Sequence, residues 1–117
     1  MEKAYGACLY AVSTNDQGHI QSNLICAKSR VAPLKTISIP RLELEAALLL
    51  AKLYITAARA YGKRIKRVRL WSDSTIVLGW INTSPNLLKT FVANRISKIQ
   101  SLTVKESWHR SIRRQPR

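Results

Sequence analysis

Carboxylates are scarce in this sequence, and three of them stand in apolar surroundings. Asp and Glu together number 6, against 20 Lys and Arg. Glu43 and Glu45 open the apolar stretch Pro40-Arg41-Leu42-Glu43-Leu44-Glu45-Ala46-Ala47-Leu48-Leu49-Leu50-Ala51. Asp73 ends the run Val68-Arg69-Leu70-Trp71-Ser72-Asp73. A carboxylate kept near a core is costly unless something binds its charge. In a chain of net charge +14 at pH 7, such carboxylates suggest metal ligands facing a polyanion.

Position alone leaves two readings open for each acid. Asp73 lies at the carboxyl end of a predicted strand, the edge where open α/β sheets bind ligands. It is equally suited to cap a helix that begins at Ser74. Glu43 falls in the first turn of a predicted helix, where a carboxylate also favours the helix dipole. Glu45, two residues on, turns to a different face and is placed to pair with basic side chains at the surface. Beyond capping, acids at a strand end and a helix start fit a two-metal site that binds Mg²⁺ through carboxylates and a bridging phosphate. Other chemistry finds little support. The sequence has no Gly-rich phosphate loop, and His19 and His109 make no metal motif. Ser72, Ser74 and Thr75 have no His near them in sequence and no nucleophile elbow. Trp71, Trp80 and Trp108 read as core residues ahead of base-stacking platforms.

The elements that must position these residues follow from local pattern. Residues 4–12 read as a strand, Asn15-Asp16-Gln17-Gly18 as a turn, and residues 19–28 as the second strand of a hairpin. Residues 36–39 suggest a short third strand. Pro40 suits a helix's first turn, and the helix should run to about residue 60, with Gly62 as its stop. It is apolar nearly all round, which predicts deep burial. Residues 65–72 read as a strand, 74–81 as a short helix, and 89–102 as an amphipathic helix. Residues 107–112 begin a last strand. The order β-β-β-α-β-α-α-β gives an α/β domain over residues 1–112, with a mixed sheet and flanking helices. Residues 113–117 are expected to form an unstructured basic tail.

Composition narrows the function class. A hydrophobic content of 46% belongs to a folded protein. No apolar run is long enough for a membrane span, and the N-terminus has no signal-peptide pattern. The expectation is an intracellular protein, cytoplasmic or nuclear, with no membrane partner. Cys8 and Cys26 make neither a disulfide scaffold nor a zinc cluster, and are expected as small buried side chains. The positive charge is clustered: Arg59, Lys63, Arg64, Lys66, Arg67 and Arg69 form one group, and Arg110, Arg113, Arg114 and Arg117 another. Such clusters predict a nucleic acid partner bound through its phosphates.

Several motifs now converge on one family. Arg41-Leu42-Glu43-Leu44-Glu45-Ala46-Ala47 resembles the first-helix opening of ribonuclease H domains. Leu70-Trp71-Ser72-Asp73-Ser74 resembles their fourth strand running into the catalytic Asp-Ser turn, and Ala4-Tyr5-Gly6-Ala7 the middle of their first strand. Cys26-Ala27-Lys28-Ser29-Arg30-Val31-Ala32-Pro33-Leu34-Lys35, Ile39-Pro40-Arg41-Leu42-Glu43-Leu44 and Leu88-Lys89-Thr90-Phe91-Val92-Ala93-Asn94-Arg95 resemble the ribonuclease H region of BEL/Pao-type retrotransposon polyproteins. The resemblance runs over about residues 4–108.

It implies a five-stranded mixed sheet and cleavage of the RNA strand of an RNA–DNA hybrid by two Mg²⁺ ions, with Mn²⁺ as a substitute. Glu43 and Asp73 match two of the family's catalytic, metal-binding acids, and Glu45 matches none. Ser74, Lys89 and Arg95 are implied as nucleic-acid contacts. The implied setting is a larger polyprotein with reverse transcriptase and integrase.

The sequence departs from the family pattern at both ends. The family's first catalytic Asp precedes its Ala-Tyr-Gly-Ala stretch, where this chain has Met1-Glu2-Lys3, and its last Asp has no counterpart beyond Asp73. The expectation is therefore a ribonuclease H-like fold truncated at both ends, with little or no cleavage by this chain alone. The competing expectation is a non-catalytic basic remnant that keeps the hybrid groove. An integrase core fits less well, since integrases place their helical acid later in the chain.

Overall fold

A computed structural model describes residues 4–31 and 38–111. Strand β1 (Ala4–Thr14) and strand β2 (Ile20–Val31) pair antiparallel. Turn chemistry closes this hairpin. The Asn15 carboxamide oxygen accepts from the Gln17 and His19 amides, at 3.0 and 2.9 Å. Gly18 takes a φ of 80°, open to a residue without Cβ. Tyr5, Ala7, Leu9 and Ala11 are partly buried and alternate with exposed neighbours. That is the period-2 pattern of a strand with one covered face. The cover is helix α1 (Ile39–Tyr61), which packs on β1.

Side-chain chemistry sets both ends of α1. The Ser38 hydroxyl accepts from the Arg41 amide at 3.4 Å, and Pro40 sits in the first turn, where its missing N–H does no harm. Gly62 stops the helix with a φ of 57°. After a 3-10 turn come β3 (Leu70–Ser72), α2 (Thr75–Ile81), α3 (Thr90–Leu102) and β4 (Trp108–Arg110). β3 and β4 run parallel, with Leu70, Trp71 and Ser72 opposite Trp108, His109 and Arg110.

One core joins these elements: Leu44, Ala47 and Ala51 of α1, Leu70, Val77 and Ile81, Val92, Ile96 and Ile99 of α3, and Trp108. Leu49 and Leu53 of α1 are also buried but stand outside that cluster. The helix is thus buried on two faces, as its nearly all-round apolar character predicts. Two polar ties fix the far side. Gln100 donates to the Ile81 and Thr83 carbonyls, both at 3.0 Å, and the Trp108 indole donates to Thr103 at 2.9 Å.

The domain is mixed α/β, with antiparallel and parallel strand pairs and flanking helices, compatible with a ribonuclease H-like fold. Several details differ from expectation. Among the described residues the strands form two two-stranded sheets rather than one five-stranded sheet. The strand expected over residues 65–72 shortens to Leu70–Ser72 because its ladder partner β4 is three residues long and Lys66, Arg67 and Arg69 are exposed. The third strand expected over residues 36–39 is not formed at its end, since Ser38 caps α1 and Ile39 begins it; positions 36 and 37 lie outside the described residues, as does the tail over 113–117. Cys8 is exposed, because α1 covers only the other face of β1. Among the described residues no helix is long and apolar enough to cross a membrane.

Leu44 is fully buried where α1 meets the core. Leu44→Ala should cost about 3 kcal/mol in urea unfolding, the usual size for a large-to-small change at a packed site. A loss below about 1 kcal/mol would show that this junction is not the core of the domain.

Candidate metal and nucleic-acid site

Asp73 follows the last residue of β3 and is exposed. The capping role open to it on sequence belongs to its neighbour. The Ser74 hydroxyl accepts from the Val77 amide at 3.1 Å and so caps α2. Ser72 supports the turn by accepting from the Ser74 amide at 3.1 Å. Ser74 is only 5% exposed, so the backbone that carries Asp73 is held against buried Val77.

Glu43 is half-buried and is not in the first turn of α1. The sequence reading placed it there. The helix instead starts at Ile39 behind the Ser38 cap, so Glu43 is the fifth residue, beyond reach of the end dipole. Counting by three and four along the helix, Glu43 shares a stripe with Ala47, Leu50 and Tyr54. Ala47 is in the core, and Leu50 and Tyr54 pack against it. Tyr54 and Ala58, further along α1, line a cavity of about 570 Å³ with Val68 and Leu70. The start of β3 and the later part of α1 therefore border the same cavity.

Glu45 takes the other direction. Its carboxylate accepts from the Arg95 guanidinium at 2.9 Å. Pairing with a basic side chain was its expected role. Arg95 also donates to the Phe91 carbonyl at 3.2 Å and lies over the Phe91 ring, 3.6 Å from its centroid. Arg41 is 4.6 Å from the same ring, so Phe91 carries two guanidinium groups. The sequence reading missed this cluster. The four-residue spacing of Phe91 and Arg95 was a usable signal, whereas Arg41 joins them only through the packing of α1 on α3.

The remaining predicted contacts are spread over the surface. Lys89 is exposed at the start of α3, where its carbonyl accepts from the Ala93 amide at 2.7 Å. Arg95 borders a groove of about 470 Å³ between the hairpin, α1 and α3, which Arg30, Lys52 and Lys98 also line. Ser74 lies on the Asp73 side, away from this groove. Among the described residues no group of three His, Cys, Asp or Glu side chains stands close enough to hold a metal ion.

Comparison with known proteins adds one finding. A family model described as the Pao retrotransposon-like RNaseH-like domain matches residues 1–74, well over half of the chain. The match takes in Glu43 and Asp73 and ends at Ser74, short of Lys89 and Arg95. No curated protein and no solved structure matches.

Two measurements test these local assignments. Ser74→Ala should destabilise the domain by about 1 kcal/mol as the α2 cap is lost, and no loss would return the capping role to another residue. A double-mutant cycle on Glu45→Ala and Arg95→Ala should give a coupling of about 0.5–1 kcal/mol. A coupling of zero would make the pair incidental to the packing of α1 on α3.

Proposed function

Because the chain belongs to the Pao retrotransposon-like RNaseH-like domain family, we propose that it binds RNA–DNA hybrids as the ribonuclease H-type domain of a retrotransposon polyprotein. Its ancestral chemistry is phosphodiester hydrolysis, with Glu43 and Asp73 as catalytic metal ligands. One observation carries this reading: the family match over residues 1–74 takes in both Glu43 and Asp73. Glu43 also sits past the first turn of α1, where the helix dipole does not account for it.

Ribonuclease H-like domains generally use divalent metals, and Mg²⁺ is held by one or two carboxylates completed by water and substrate phosphate. Glu43 and Asp73 meet that minimum for one ion, Mg²⁺ or Mn²⁺. A metal pair requires a fuller acidic set. When bound, the ion supplies charge neutralisation at the scissile phosphate and a more acidic water. The chain's own contribution is the remainder. The carboxylates provide hard oxygen donors, and the Ser74 hydroxyl, by capping α2, holds the turn that carries Asp73. Lys89, Arg95 and the exposed cations attract the nucleic acid backbone. With Glu43 and Asp73 as its two ligands, this chain is expected to bind hybrid and to cleave it weakly or not at all.

The clustered positive charge also supports a second reading, a non-catalytic binding domain of the same fold. One experiment separates them: an RNA–DNA hybrid is titrated at low salt, then incubated with Mg²⁺ or Mn²⁺, using the chain and its Glu43→Gln and Asp73→Asn variants. The expected result is hybrid binding that falls steeply with salt and at most weak cleavage, lost in both variants. No measurable cleavage by any of them supports the binding domain. Failure to bind hybrid sinks the proposal, robust cleavage lost in both variants makes this chain a competent enzyme, and cleavage indifferent to both removes Glu43 and Asp73 from the site.

A further inference from the structure

Trp71 occupies a position that the core does not explain. Tryptophan is strongly buried on average, and Trp108, opposite Leu70 in the ladder, is 7% exposed. Trp71 is 50% exposed. The strands' alternation accounts for the difference: Leu70 and Trp108 turn into the core, so Trp71 and His109 turn out on the other face. The parallel register sets those two rings opposite each other, with centroids 5.1 Å apart and planes tilted by 41°. Arg69, two residues before Trp71, is exposed. In a chain of net charge +14 this is an aromatic pair beside a cation.

We propose that the outer face of the β3–β4 ladder is a stacking platform for single-stranded nucleic acid, with Trp71 and His109 taking bases and Arg69 a phosphate beside them. Unpaired bases offer their π-faces to aromatic side chains, and every base can use such a surface. A duplex keeps its bases stacked on one another and offers a flat sheet only its backbone. Arginine next to the rings adds backbone attraction and cation–π contact. The face is opposite the core helices, so the inference goes beyond hybrid cleavage and stands whether or not Glu43 and Asp73 hold a metal.

The test compares a labelled single-stranded oligouridylate with an RNA–DNA hybrid of equal length, by fluorescence anisotropy. Trp71→Ala should weaken oligouridylate binding about 5- to 150-fold, while hybrid binding changes by less than about twofold and Trp71→Phe keeps most of the affinity. Arg69→Ala, an exposed change that leaves the core intact, should reduce the slope of log K against log salt by about 0.7 for the single strand. Equal oligouridylate affinity in Trp71→Ala and the unmodified chain would overturn the proposal, as would equal losses on both ligands or an unchanged salt slope in the arginine variant. A concentration-dependent dimer abolished by Trp71→Ala would assign the face to a second copy of the chain and also overturn it.

Discussion

The two-sided burial of α1 is the constraint on which the other placements depend. One face carries Leu44, Ala47 and Ala51 into the core shared with α2, α3 and the β3–β4 pair. Leu49 and Leu53 are buried as well, outside that cluster, and the hairpin packs on the same helix through β1. An amphipathic helix can roll a little on a single apolar stripe, whereas a helix held on two faces has its rotation fixed. That rotation decides the fate of two acids. Residues two apart on an α-helix point about 200° apart, so Glu43 stays on the stripe that runs toward β3 while Glu45 reaches Arg95 of α3. A small turn of α1 would disturb both at once.

The features legible in sequence were those set by local chemistry. The hairpin turn follows from Asn15 and Gly18, the end of α1 from Gly62, and the start of α2 from the Asp73-Ser74 pair, because each is closed by hydrogen bonds or dihedral preferences within a few residues. What depended on distant partners was less legible. Residues 65–72 have the composition of a strand, but a strand is as long as its ladder, and β4 supplies three partners. The side of the hairpin left exposed, and with it Cys8, was settled by which face α1 covers. Trp71 was misread for the same reason: an aromatic residue in an apolar run signals burial, and only the pairing with β4 shows which face it takes.

The candidate site divides along the same line. That Glu43 and Asp73 were unusual could be read directly, since acids are few and both interrupt apolar runs. Where each stands relative to its helix start could not, because it turned on single residues. Ser38 moves the start of α1 far enough to put Glu43 beyond the first turn. Ser74 gives its hydroxyl oxygen to the Val77 amide of α2. In both places a serine takes the hydrogen-bonding duty at a helix start, and the nearby carboxylate has a different environment as a result.

The scarcity of acids has a further physical consequence. With 20 Lys and Arg against 6 Asp and Glu, internal ion pairs can neutralise only a minority of the positive charge. One acid, Glu45, is held by Arg95 at the α1–α3 contact, where it joins elements and leaves less charge for the surface to balance. The uncompensated cations repel one another in the folded state, and that repulsion weakens the compact form. A polyanion relieves it while releasing its own counterions. Anything that binds the folded chain in preference to the unfolded one also stabilises it. On the proposed function, fold stability and nucleic-acid affinity are therefore coupled through the same charges.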